Sequence, residues 1–499
     1  MAKPTAAKTS DKSSDKSSTT PDLRRTIAGL REEFAAKLGA LVGIPSVSME
    51  PERHQDVRRC AELACTYLRE IGAQADVIET AGLPLVLGRV IRDPSYPTVT
   101  IYNHLDVQPA DAEGWRTSPF ELQAIGDRYH GRGATDDKGP ALAALLAVRL
   151  ALAASVRLNF QFLWESEEEV GSPSFSAALA ALAKGEAGQS DKDRGNGRGK
   201  ASEISGLTTD SIMVSDTIWP SASQPAIPYG LRGLLGFLVR LQTGDKAVHS
   251  GTTGGAARNP IGELCALIAQ CYDATTGRVR IPHFYDDVRK PSASERRELS
   301  RSGFAQAKFK KAHGLRSLRF TDDVRLGEAV MTQPTFEVHG IVGGYSGPGV
   351  KTIVPHTAEA KLSCRLVPDQ RPNDVFRLIK AFIADKCPDA KVVFEAALEP
   401  YLADTNGPFL QAAIRATEET FGKKPALTRE GGSIGAVVTM AKLLRKEVVL
   451  LGLSLPEDGY HAINESFAWT QAQRGIALFY RYFHHLACIT DDKRKPRAR

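Results

Sequence analysis

Five residues of this 499-residue chain have the types and placement to hold metal: His104, Asp137, Glu169, Asp216 and His461. Two histidines and three carboxylates form a mixed nitrogen and oxygen donor set that suits zinc, cobalt or manganese. One bridging carboxylate could serve two ions about 3.5–4 Å apart, a spacing at which paired metals activate water for hydrolysis. Asp106 stands two residues beyond His104. On an extended path, positions i and i+2 face the same way, so Asp106 can accept the second ring N–H of that histidine and fix its tautomer. Glu168 and Glu169 are adjacent and need different tasks. One can bind metal while the other takes a proton from the attacking water.

The elements around these residues give them a reason to converge. TVTIYN (98–103), LNFQFLW (158–164), DSIMVSD (210–216) and KEVVLLGL (446–453) read as strands. The first runs into His104, the second into ESEEEVGS, the third ends on Asp216, and the fourth precedes His461 by a short loop. Between the first two lies KGPALAALLAVRLALAAS (138–155), an Ala/Leu-rich helix whose start meets Asp136 and Asp137. Strands alternating with helices predict an α/β fold, a mostly parallel sheet flanked by helices. In such sheets ligands gather beyond the carboxyl ends of the strands.

Residues 22–44 and 54–72 read as further helices from their apolar spacing. Residues 228–402 change texture. The strand-like runs GLLGFLVRLQT (233–243), QPTFEVHGI (333–341) and HTAEAKLSCRLVP (356–368), with a helix around 260–272, predict an inserted α+β domain. The expected organisation is then a tail at 1–21, a catalytic domain from 22–227 and 403–490, and the insert at 228–402. The Gly-, Asp- and Lys-rich stretch 185–206 reads as a flexible surface insertion, and it lacks the GxxxxGK[ST] pattern of a phosphate loop.

Composition bounds the function classes. Hydrophobic residues make up 42% and charged residues 24% of the chain, which suits a globular protein of two domains. The net charge of +6 owes part of its excess to terminal runs such as DDKRKPRAR. No aromatic residues interleave with that run, so it reads as a solvated tail and not as a nucleic-acid surface. No run approaches the roughly 20 apolar residues that span a bilayer, and the first twenty residues lack a signal-peptide core. Seven cysteines, odd in number and without CxxC, point to a reduced, cytoplasmic setting.

Seven motifs, in order, carry a resemblance: NHLDVQPA (103–110), GRGATDDKGP (131–140), EEVGS (168–172), VSDTIW (214–219), YGLRG (229–233), VHSG (248–251) and REGGSI (429–434). Together they resemble the di-zinc metallopeptidase family of glutamate carboxypeptidase, aminoacylase and carnosine dipeptidase, in its branch of cytosolic non-specific dipeptidase and carnosinase. The resemblance runs from about residue 25 to 485. It implies two divalent ions, zinc above manganese or cobalt. His104, Asp137 and Asp216 would hold one, and Asp137, Glu169 and His461 the other, with Asp137 bridging and a cis peptide in the DD motif. It implies Asp106 as the active-site aspartate and Glu168 as general base. It assigns the 228–402 insert as a lid and dimerisation domain, with His249 reaching the partner's active site in a homodimer. Thr352, Arg365 and Ser433 would bind substrate, and the planar fork of Arg365 suits a substrate carboxylate. The implied activity is hydrolysis of dipeptides or short peptides. Deacylation of N-acyl amino acids is the alternative.

Overall fold

The computed structural model describes residues 20–185 and 206–494. The expected N-terminal tail and surface insertion fall essentially outside these residues, as does the end of the basic C-terminal run.

A six-stranded sheet forms the base of the molecule. Its order is Gln74–Ile78, Leu85–Val90, Asn159–Glu165, Thr98–His104, Ser211–Val214, Glu447–Leu450. The four strands expected from the sequence form its parallel portion, with Thr98–His104 central between Asn159–Glu165 and Ser211–Val214. The other two strands pair antiparallel at one edge. Every residue of Asn159–Glu165 and Ser211–Val214 is buried, as parallel strands covered on both faces must be. One face packs against helices Arg31–Val42, His54–Glu70, Lys138–Ala153, Pro408–Phe421 and Trp469–Arg494. Phe175–Lys184 and Gly435–Leu444 cover the other. The helix expected over 22–44 is two helices, Thr20–Ala28 and Arg31–Val42. It breaks at Gly29, a weak helix former, where Leu30 N–H bonds to the Ile27 carbonyl at 3.0 Å.

The start of Lys138–Ala153 matters most for the site. A side chain at Gly139 would lie 2.1 Å from the Ala134 carbonyl and 2.8 Å from the Phe467 ring, so only glycine lets the helix meet this loop. Lys138 is fully buried and donates to the carbonyls of Leu41 (2.9 Å) and Ile44 (3.1 Å), tying the end of Arg31–Val42 to the helix. Lys138→Met is expected to cost about 1–3 kcal/mol, since it strips a donor from enclosed carbonyls. Urea unfolding checks this, and an unchanged midpoint would show that the tie contributes nothing.

A second sheet is antiparallel, in the order Glu337–Gly343, Thr357–Leu366, Gly233–Gln242, Lys391–Leu398. Its middle strand Gly233–Gln242 alternates buried and more open residues. Its covered face packs on helices Pro260–Cys271 and Pro372–Lys386. This is the α+β block expected within 228–402. A three-stranded sheet of Tyr401–Leu402, Ala226–Leu231 and Ala426–Glu430 stands where the block joins the main sheet.

Candidate active site

Because Thr98–His104 and Asn159–Glu165 run parallel in register, His104 lies opposite Glu165 at the same sheet edge. There His104 Nε2 lies 2.9 Å from Asp136 Oδ1 and 3.9 Å from Asp216 Oδ2. The other oxygen of Asp136 lies 3.0 Å from His461 Nε2, which is 3.2 Å from Glu169 Oε2. Two groups therefore form, His104–Asp136–Asp216 and Asp136–Glu169–His461, and Asp136 belongs to both. His461 takes a left-handed backbone angle, φ 54°. That costs a non-glycine residue about 1–2 kcal/mol and is tolerated where the surroundings impose it.

The geometry corrects one expectation. Asp136, not Asp137, is the carboxylate shared between the two groups. Asp137 turns away and accepts from Asn103 Nδ2 at 2.7 Å and the His104 N–H at 3.4 Å. It directly precedes the helix and is joined to Asp136 by a cis peptide bond. Adjacent identical residues do not reveal from sequence which one faces the site.

Asp106 ties the site together. His104 Nδ1 lies 3.0 Å from its carbonyl and 3.5 Å from its carboxylate. The same carboxylate accepts the backbone N–H groups of Glu168 (3.2 Å) and Glu169 (3.1 Å). The glutamates of ESEEEVGS thereby acquire separate surroundings. Glu165 accepts from the Tyr102 hydroxyl at 2.8 Å, Glu167 caps the N–H groups of Leu83 and Ser174, and Glu169 accepts from Gln108 at 2.6 Å. Glu168 sits among His104, Asp216, Glu169 and Glu165.

Electrostatics mark the same spot. Burial, then neighbouring carboxylates, pushes Glu168 and Asp137 well above the usual carboxylate range and Asp216 up to about 6. Asp136 alone is pulled down, because His104 and His461 outweigh its burial. Burial opposes the charging of His461, yet Asp136 and Glu169 hold it up at about 11. So many acidic groups withdrawn from water require compensating cations. In each group, histidine ring nitrogens and carboxylate oxygens within 4.8 Å of one another form a donor set that fits divalent metal.

Sequence reasoning missed Glu465. Fully buried, it accepts from Arg132 Nη1 (2.8 Å) and the N–H groups of Gly133 (3.0 Å), Thr135 (2.9 Å) and Asp136 (3.1 Å). It holds the loop that presents Asp136. Its only sequence signal was its place four residues after His461. Tyr460 was missed too. Its hydroxyl donates to Asp216, and its ring stacks on His461 at 5.4 Å.

The expected substrate-binding residues form two pairs. Arg365 is half-buried and donates from Nη1 to Ser433 Oγ at 2.9 Å. Arg232 of YGLRG stands beside it. Burial and then the charge of Arg365 lower its guanidinium to about 10. Arg232 clamps the REGGSI loop through its N–H to the Gly432 carbonyl (3.0 Å) and its Nε to the Gly431 carbonyl (2.9 Å). His249 and Thr352 are exposed on a two-stranded ribbon of Val248–His249 and Ile353–Val354. Among the described residues no hydrogen bond or ion pair links either pair to the carboxylate cluster.

A carboxylate–histidine cluster at the carboxyl edge of a parallel sheet, in a chain that also carries an inserted α+β block, defines a metallohydrolase. Residues 100–485 match the profile of Peptidase family M20/M25/M40, and the chain belongs to that family. It is 31% identical to the rat (Rattus norvegicus) Beta-Ala-His dipeptidase, over 96% of this chain and 98% of that protein. It is also 31% identical to the Cys-Gly metallodipeptidase dug1 of Schizosaccharomyces pombe, over 92% of this chain and 97% of the relative. The crystal structure of human carnosine dipeptidase 1 matches with a TM-score of 0.79 at 28% identity, covering 94% of this chain and 98% of that one.

Proposed function

We propose that this enzyme is a metal-dependent dipeptidase. The observation that carries the reading is the pair of histidine–carboxylate groups sharing Asp136, with the half-buried Glu168 beside them. Relatives aligned over nearly their whole length, and named as dipeptidases, support it and do not favour a deacylase of N-acyl amino acids. His104 with Asp216, and Glu169 with His461, hold two divalent ions, of which zinc suits the donors best. Bound divalent cations supply Lewis-acid polarisation and activation of the nucleophile. Glu168 takes the proton of the attacking water and returns it to the leaving nitrogen. Asp106 orients His104 and the Glu168–Glu169 turn.

Arg365, with Arg232 beside it and Ser433 holding its Nη1, anchors the C-terminal carboxylate of the substrate through paired N–H donors. His249 and Thr352, exposed on their ribbon, complete the site of a second copy in a homodimer, where His249 steadies the developing oxyanion. The 228–402 block is the lid and dimerisation domain. Among the described residues no helix is long and apolar enough to cross a membrane, and the seven unpaired cysteines suit a reduced, cytoplasmic compartment.

Metal removal tests the reading. Dialysis against a chelator is expected to abolish hydrolysis of β-Ala-His and Cys-Gly, and added zinc or manganese to restore it. Full activity in protein shown by elemental analysis to be metal-free would sink the proposal.

A further inference from the structure

One acidic side chain next to the cluster has no assigned work. Glu430 ends the strand Ala426–Glu430, opposite Leu231, and its carboxylate accepts the backbone N–H of Ile218. Its Oε2 is enclosed and makes no hydrogen bond. The charges it feels are those of Asp216 and Asp136, both repulsive. Among the described residues no lysine, arginine or histidine pairs with it, and it belongs to neither metal-candidate group. An enclosed carboxylate oxygen that lacks a donor is placed to accept from a cationic group that arrives with the substrate.

A dipeptide carries two charged ends. Arg365 and Arg232 stand at the carboxylate end, and Ser433 touches Arg365. Glu430 and Ser433 are three residues apart, so their Cα atoms lie at most about 11 Å from each other. A dipeptide spans roughly 7 Å when extended. One four-residue segment can therefore serve both of its ends, and a third residue would carry the amino group past Glu430.

Building on the dipeptidase reading, we infer that Glu430 receives the free amino group of the substrate, so that this site selects unblocked dipeptides over N-acyl amino acids. The geometry gives Oε2 the ammonium as its missing donor, near the cations that Asp136 and Asp216 bind.

The test compares Ala-Gly with propionyl-glycine, the same molecule without its amino group, on metal-loaded protein. Wild type is expected to favour Ala-Gly in kcat/KM by about tenfold or more, the worth of a hydrogen bond between charged groups. Glu430→Gln should raise KM for Ala-Gly about 10- to 100-fold on the same ground, with little change in the KM of propionyl-glycine and unchanged metal content. Glu430→Asp, which keeps the charge, should recover part of the loss. An unchanged selectivity ratio in Glu430→Gln overturns the assignment. So does a wild type that treats both compounds alike, a result that needs no variant to fold. A wild type that cleaves no dipeptide at all sinks the dipeptidase reading, and this inference with it.

Discussion

Glu168→Gln is expected to lower kcat by about 10²–10⁴-fold while metal content and stability stay near wild type. The substitution keeps the side chain's shape and its backbone tie, since the N–H of Glu168 and not its carboxylate is held by Asp106. It removes only the capacity to take a proton. In the folded chain that side chain is half-buried, and burial together with Asp216, Glu169 and Glu165 favours its proton-bearing form, against the pull of His104. A group so placed can hold a proton between attack and departure, which glutamine cannot do. Dipeptide turnover and elemental analysis on one preparation check the prediction. Near-normal turnover would remove Glu168 from the chemistry. Loss of metal would make it a ligand instead.

Asp136→Asn should abolish metal binding and reduce activity by at least about 10²-fold, since even partners outside the ligand set commonly cost 10- to 100-fold. Both oxygens of Asp136 are engaged, one toward His104 at 2.9 Å and one toward His461 at 3.0 Å. An amide would set an NH₂ group against one of these rings and forfeit the charge that draws both groups together. Asp137→Asn should be far milder for metal content, because Asp137 faces Asn103. Metal titration of the two variants separates the readings. If Asp137→Asn loses metal and Asp136→Asn keeps it, the assignment from geometry fails.

Much of the fold was legible because the four strands that carry candidate residues are continuous apolar runs bounded by polar turns. Thr98–His104, Asn159–Glu165, Ser211–Val214 and Glu447–Leu450 all formed, and they formed the parallel part of the sheet. The antiparallel edge pair Gln74–Ile78 and Leu85–Val90 escaped notice, since QADVI and LVLGRV are short and carry no site residue. The break at Gly29 was also missed, because the apolar period continues on both sides of it.

By itself the sequence determined the donor chemistry and its address. Histidines and carboxylates stand at strand ends, and residue type and order along the chain are enough to say that. Tertiary structure alone decided which member of a pair does what. It put Asp136 rather than Asp137 between the two histidines, gave each glutamate of ESEEEVGS different neighbours, and brought Glu465 to the loop that carries Asp136 from more than three hundred residues away. It also enclosed one carboxylate oxygen of Glu430 without a hydrogen-bond donor. Side-chain direction and solvent exclusion are set by the packing of the whole chain, and neighbours in sequence share neither.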